Sequence, residues 1–421
     1  MLKRLLLLTL VLSGLPAFAQ DGSRVVVMSS YPQELIARYE TAFETAHPGI
    51  DMVLEWRRSD DARQLLQSGN PGVDVYWAPS LDTFVTLADA GYFAELPLPF
   101  AGLPGNIDEL EIDDPAHRFA AFEVAGFGFA FSPAWLDVHE LSVPQDWQDL
   151  RDPRYSGAVQ LPIPSRQGFS PMIYASILRG LGWEQGWGLI GDIAANNSLM
   201  GGGGGAFIDE LAAGNLGLAL SIDFFPKSAR MNGLDVDFRY ANTTLLSPAY
   251  VALLDDAPHP DAAQVFLDFI LSDAGQTLLL HRDVARLPVR PGTYPETADF
   301  NPFASEVKVP SFDFRQAGAW QSLISALFDL QVSDRHERLS ALLDEIDDAL
   351  VQPDLGTARQ TKLAQARQRL LAPALDTATA MQLLERLASG DLQATDLPVD
   401  DWALTLQSRE QEVIAILAST P

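Results

Sequence analysis

Between residues 24 and 90 the chain alternates apolar runs of strand length with segments of helical period, joined by short connections. RVVVM at 24–28 reads as a buried strand, and Ser29-Ser30-Tyr31-Pro32 turns it into a helix. Leu35, Ile36, Tyr39 and Phe43 share one face of that helix until Pro48-Gly49 ends it. A strand at 50–56, a polar helix, the turn Gly69-Asn70-Pro71-Gly72, a strand at 73–78 and a helix at 81–90 follow. Strands separated by crossover helices pair in parallel with helices on the sheet faces, so this segment predicts an α/β layer. Ligands in such sheets lie beyond the carboxyl ends of the strands. Ser29, Ser30, Tyr31 and Ser80 fall at those ends.

The apolar, glycine-punctuated stretch 119–131 suits an extended segment crossing to a second α/β unit. That unit opens with a strand at 158–161 and a helix at 170–181, joined by LPIPSRQGFSP at 161–171. A strand opening through Ser165, Arg166 and Gly168 into a helix start offers unpaired backbone N–H groups and partial positive charge to an anion. Arg166 adds a planar fork suited to carboxylate or phosphate. The alternative is that Ser165 and Ser170 only cap the helix while Arg166 is a solvated charge. The five glycines at 201–205 are either a surface loop or backbone shaped to approach a ligand. A strand at 216–222 ends at Asp223, Phe224 and Phe225. Asp223 either accepts from a ligand or pairs with Lys227 or Arg230, and the two phenylalanines either wall the site or belong to the core. The chain then returns to the first lobe through a strand at 250–254 and helices at 262–271 and 275–281.

Beyond about residue 316 glycine thins out and Leu323, Ile324, Leu327 and Phe328, then Leu339, Leu342, Leu343 and Ile346, repeat at helical spacing. This all-helical region either packs on the first lobe or serves a partner; packing on the first lobe is the expectation. At the other end, Lys3 and Arg4, the apolar run 5–12 and Ala17-Phe18-Ala19 fit an export leader cleaved after Ala19. No later stretch reaches the roughly 18–20 apolar residues needed to cross a bilayer. The chain has no cysteine, so neither a lipidated N-terminal Cys nor disulfides are available, and stability must come from buried core. The formal charge is −28, and losing Lys3 and Arg4 makes it more acidic still. That argues against nucleic acid or an anionic membrane as partner, not against a basic pocket for a small ligand.

No GxSxG elbow, HExxH or P-loop occurs, and the six histidines are scattered with no pair at metal-ligand spacing. Polar groups at the strand ends of two α/β units, without a nucleophile or base, point to binding rather than catalysis.

The segments VVVMSSYPQELIARYETAFETAHPGI, DVYWAPSLDTFVTLADAGYF, PQDWQDLRDPRYSGAVQLPIPSRQGFSPM and SPAYVALLDDAPHPDAAQVFLDFILSDAGQTLL resemble extracellular solute-binding proteins of ABC transporters. The resemblance runs from about residue 25 to 331 and points to the ferric-ion and phosphoglycerate/phosphonate group. It implies the type II periplasmic-binding-protein fold: two α/β lobes joined by two crossover strands, here near 123–127 and 245–250, with a helical C-terminal extension. Lobe 1 would comprise 20–122 and 248–315, lobe 2 123–247, and the extension 316–421. Iron binders of the group carry adjacent tyrosines where this chain has Phe224-Phe225, which cannot ligate iron. The Ser165-Arg166-x-Gly168 loop resembles the SRSGTS-type loop of the phosphoglycerate and phosphonate binders, with Gln167 and Phe169 as departures. The helices from 317 to 350 resemble the extension of the phosphoglycerate transport regulatory proteins, which are linked to induction of uptake.

The expectation is therefore a monomeric periplasmic binding protein, not an enzyme, that captures a small anion and passes it to a membrane permease. An organophosphate or phosphonate leads. Ser29, Ser30, Tyr31 and Ser80 would close from lobe 1 onto Ser165, Arg166, Gly168, Phe169 and Ser170 of lobe 2, with Asp223 and Phe224 beside them. No metal or cofactor is required. The alternatives are a ligand-binding accessory of a sensor kinase, and a binder of a polyamine or sugar.

Overall fold

The computed structural model describes residues 23–96, 102–203, 205–352 and 355–419. The expected leader and its cleavage site at Ala19 lie outside them. The first unit follows the expected order: β1 (Ser23–Ser29), α1 (Gln33–Ala46), β2 (Ile50–Trp56), α2 (Ser59–Ser68), β3 (Val75–Ala78) and α3 (Leu81–Asp89). β1 lies parallel between β2 and β3. Leu35, Ile36, Tyr39 and Phe43 are the buried face of α1. Tyr39 packs edge-on against Trp77 and Phe122, an arrangement that suits the quadrupoles of the rings.

A short hairpin, β4 (Asn106–Ile107) with β5 (Leu110–Glu111), precedes β6 (Ala120–Phe131), whose 12 residues are all buried. Then come α4 (Pro133–Val138), β7 (Val159–Pro162), α5 (Ser170–Leu181), α6 (Trp183–Ala195), β8 (Ser198–Met200), α7 (Phe207–Ala212) and β9 (Leu218–Ile222). The return runs through α8 (Phe224–Met231), β10 (Asp237–Tyr240), β11 (Leu246–Leu253), α9 (Pro260–Ile270), α10 (Asp273–Thr277) and β12 (Leu287–Pro288). The helix expected over 275–281 is thus α10 followed by one 3-10 turn at Leu278–Leu280.

The strand order is β2-β1-β3-β11-β6-β9-β7-β8, with β10 and β12 paired to β6. Parallel sets at the two ends are joined by an antiparallel centre. β6 serves both: Ala121 pairs with Tyr250 of β11, and Phe127 pairs with Ile222 of β9. The two expected crossing segments are therefore one hydrogen-bonded pair, Glu123 opposite Ala249 and Gly126 opposite Leu246. Gly128 is required where β10 crosses, because a Cβ there would stand 2.1 Å from the Arg239 carbonyl oxygen.

The C-terminal region is helical as expected: α11 (Ala317–Gln331), α12 (His336–Leu350), α13 (Thr357–Leu371), α14 (Thr377–Ala388) and α15 (Val399–Ala418). Its seat is not the expected one. It docks chiefly on α5 and α6 of the second unit. Phe328 packs on Tyr174 with ring centres 4.7 Å apart, and the Trp183 indole donates to the Leu375 carbonyl at 3.0 Å. Arg367 donates to Asp192 at 2.6 Å. Ala195 of α6 shares a core with Leu339, Leu342, Leu343 and Ile346. The physical reason is that α5 and α6 carry a broad apolar face, including Trp183, Trp187 and Ile190, which needs cover. Contact with the first unit is narrower and partly ionic, through Arg315 to Asp89 and Asp114.

Candidate functional site

At the end of β1, Ser29 is buried and its Oγ accepts from the Tyr31 amide at 3.1 Å. Ser30 is half-buried, its Oγ 3.2 Å from that of Ser59. Beyond β3, Ser80 holds its hydroxyl 2.9 Å from Thr83. On the second unit the loop between β7 and α5 is tightly turned, the amides of Arg166 and Gln167 both donating to the Ile163 carbonyl at 3.0 and 3.1 Å. Two of its hydroxyls already have partners. Ser165 donates to Asp329 of α11 at 2.9 Å, and buried Ser170 donates to the Gln167 carbonyl at 2.8 Å. Neither is placed as a helix cap: α5 begins after Phe169 with no side-chain cap.

Arg166 is exposed and forms no ion pair among the described residues. It lies against Gly201, where a Cβ would come within 2.7 Å of Nη1, so the first glycine of the run gives the guanidinium room. At Gly205 a Cβ would only touch Phe225, at 3.5 Å, so no such need for glycine exists there. Phe169 and Phe225 approach to 5.9 Å between ring centres, and Phe224 to 4.5 Å of Phe225.

Where β6 and β11 cross, a buried ionic cluster joins the two units. Glu123, near the start of β6, accepts from the Tyr31 hydroxyl at 2.8 Å and from Arg286. The Arg286 guanidinium lies 4.2 Å over the Phe224 ring and 5.1 Å over Tyr31. Asp223 accepts from the Tyr240 hydroxyl at 2.6 Å, and that hydroxyl accepts from Lys227 at 2.5 Å. Lys227 thus reaches Asp223 through Tyr240, while Arg230 turns to Asp237 and Asp299. Burial raises the carboxyl pKa of Glu123 despite Arg286, and that of Asp223 despite Lys227. Burial also lowers the Lys227 ammonium against the pull of Asp223. Burial lowers the Arg286 guanidinium in the same way but is outweighed, chiefly by Glu123, so that its pKa is raised. Glu123 Oε2 and Asp223 Oδ1 are buried with no hydrogen-bond partner among the described residues.

The expected site residues do not share one cavity. Ser80 and Gly168 line a space of about 800 Å³, together with Ser247 and with Gly318, Gln321 and Gln393 of the helical region. Phe224 lines another of about 780 Å³, with Pro32, Arg38, Gly205, Phe225 and Arg286. Tyr31 and Asp223 sit in the buried ionic cluster. Sequence reasoning missed Arg286 and Tyr240. A lone arginine between Ala285 and Leu287, in an apolar stretch, was the available signal for the first. Phe224 and Phe225 offer no metal donor, and no cluster of three metal-binding side chains occurs among the described residues.

Over 223 residues the chain is 30% identical to the phosphoglycerate transport regulatory protein PgtC of Salmonella typhimurium. That alignment spans 52% of this chain and 55% of PgtC, about half the length of the relative. Iron-bound HitA from Pseudomonas aeruginosa shares the fold with a TM-score of 0.58 at 20% identity, over 72% of this chain and 99% of HitA. AfuA from Actinobacillus pleuropneumoniae, with fructose-6-phosphate bound, superposes with a TM-score of 0.55 at 18% identity, over 78% of this chain and 99% of AfuA. The architecture is the type II periplasmic-binding-protein fold. Because residues 80–316 also match the family of bacterial extracellular solute-binding proteins, this chain belongs to that family.

Proposed function

We propose that this protein captures a small phosphorylated or phosphonate anion between its two lobes and delivers it to an ABC permease from the periplasm. The reading rests on Arg166. Its guanidinium is exposed and without an ion pair among the described residues, on a loop whose Gly168 lines the same cavity as Ser80 of the facing unit. A permanent cation beside the start of α5 favours a dianionic head group over a neutral or cationic ligand. The name of PgtC and the fructose-6-phosphate bound by AfuA agree with a phosphorylated ligand. Lobe 1 would then be 20–122 with 248–315 and lobe 2 123–247, Ser30, Ser80 and Phe169 meeting across the cleft on closure. Removal of residues 1–19 would precede this role.

A second reading, a ligand-sensing accessory of a sensor kinase, is favoured by the similarity to a protein named as regulatory and by the helical extension. Both readings need the same trap.

Thermal unfolding of the chain from Gln20 against phosphorylated acids, phosphonates, carboxylates and sugars tests it. A ligand at a hundred times its Kd adds about 2.7 kcal/mol, a readily visible shift in Tm. The expected result is a shift with phosphorylated or phosphonate compounds that Arg166→Ala removes. A panel in which no such compound shifts the transition, or a shift untouched by Arg166→Ala, would sink the reading.

A further inference from the structure

A cavity of about 470 Å³ lies between the first unit and the helical region, and nothing in the anion-trap reading uses it. Its rim is acidic. Glu109, Glu111, Asp113, Asp114 and Asp313 line it, against only Arg179 and Arg315. Both arginines are engaged: Arg315 bonds Asp89 and Asp114 at 2.7 and 3.2 Å, and Arg179 donates to the Ser311 carbonyl at 3.0 Å. Glu109, Glu111 and Asp113 form no ion pair among the described residues, so the cavity keeps an excess of negative charge.

Its walls are aromatic on both sides. Phe119 and Tyr250, 4.7 Å apart between ring centres, come from the first unit. Phe312 comes from the other side, 5.1 Å from Phe314 and 5.8 Å from Trp320. Tyr250 is 2% exposed, lines the cavity, and its hydroxyl has no hydrogen-bond partner among the described residues. The phenol opens on this cavity beside the carboxylates, and its oxygen can accept from the N–H of an alkylammonium. Burial raises its pKa, and Asp113 and Asp114 raise it further, which keeps it neutral.

We propose that this cavity is a second ligand site that takes a small organic cation, an alkylammonium or quaternary ammonium. The positive nitrogen would stand between the aromatic faces with Asp113 and Glu111 as counter-charges. Aromatic faces reward a weakly hydrated organic cation, through the ring quadrupole, more than a hydrated metal ion. An anion meets the wrong sign here, which separates this site from the one assigned to Arg166.

The test is calorimetric titration of the chain from Gln20 with tetramethylammonium chloride and with 1,4-diaminobutane, against matched sodium chloride. Saturable one-to-one binding is expected, weakened about tenfold by Asp113→Asn and by Trp320→Leu and retained in Arg166→Ala. Because Trp320 is largely buried, Glu111→Gln at the exposed rim is the variant that leaves packing undisturbed, and it too should weaken binding. Heats no larger than those of sodium chloride, or equal binding in Glu111→Gln and Asp113→Asn, would overturn the proposal. Loss of cation binding in Arg166→Ala would also overturn it, by placing the cation in the cleft. Failure on any of these counts leaves the response to phosphorylated ligands unaffected.

Discussion

Glu123 and Arg286 are 163 residues apart in sequence and meet in the buried cluster between the two units, each shielded from solvent. A buried pair of this kind is a weak source of net stability, yet removing one member leaves the other charge uncompensated. Arg286→Met should therefore destabilise the fold by about 3–5 kcal/mol in urea unfolding, and adding Glu123→Gln should recover much of that. Asp223 gives a test by pH. Its folded pKa is raised, by burial, above the 3.8 of a free carboxyl, so the native state binds the proton more tightly than the unfolded chain. The stability this contributes is present at acid pH and is lost as pH rises through the folded pKa. Asp223→Asn, which keeps an acceptor for Tyr240, should lack that loss. The stability difference should move in the mutant's favour as pH rises above the 3.8 of the free carboxyl; a difference flat with pH would refute the assignment. Sequence reading reaches its limit at this scale. The positions of Arg166 and Ser80 beyond strand ends could be read from the turns beside them, whereas their role as ligand contacts stays a proposal. Arg286 and Tyr240 acquire meaning only from partners that the fold brings to them.

Elements long enough to show a period were legible. Strand β2 and helix α5 occupy the expected spans, because each has turn residues at its borders and a pattern several residues long. Strands β8, β10 and β12, of 3, 4 and 2 residues, are too short for alternation to register and exist because β6 or β7 offers an edge. The helical region was legible as helix but not in its seat, since periodicity reveals an apolar face and not what covers it. Its docking on α5 makes a stability claim. Phe328 is fully buried against Tyr174, so Phe328→Ala should cost about 3–5 kcal/mol. Denaturant unfolding checks this, and a change below about 1 kcal/mol would mean that the region does not pack there in solution.

The molecule as a whole is strongly acidic, with 56 carboxylate side chains against 28 lysines and arginines. Isolated cations therefore stand out, and where they sit bears on what the protein attracts. The two units share β6, and the register of its pairing with β11 shifts between Ala249 and Tyr250, beside Glu123. Bending there would close the halves while the helical region travels with the second. Small-angle scattering should accordingly show a smaller radius of gyration when a ligand is bound; an unchanged radius under saturation would argue against closure. The most direct test remains the cation on the α5 loop. Titration of a phosphorylated three-carbon acid into wild type, Arg166→Lys and Arg166→Ala should give tight, intermediate and at least about tenfold weaker binding, since a charge-assisted hydrogen bond contributes about 1.5–3 kcal/mol. Equal affinity in all three would contradict the account, because the anion would then be held without the one group that singled out its site.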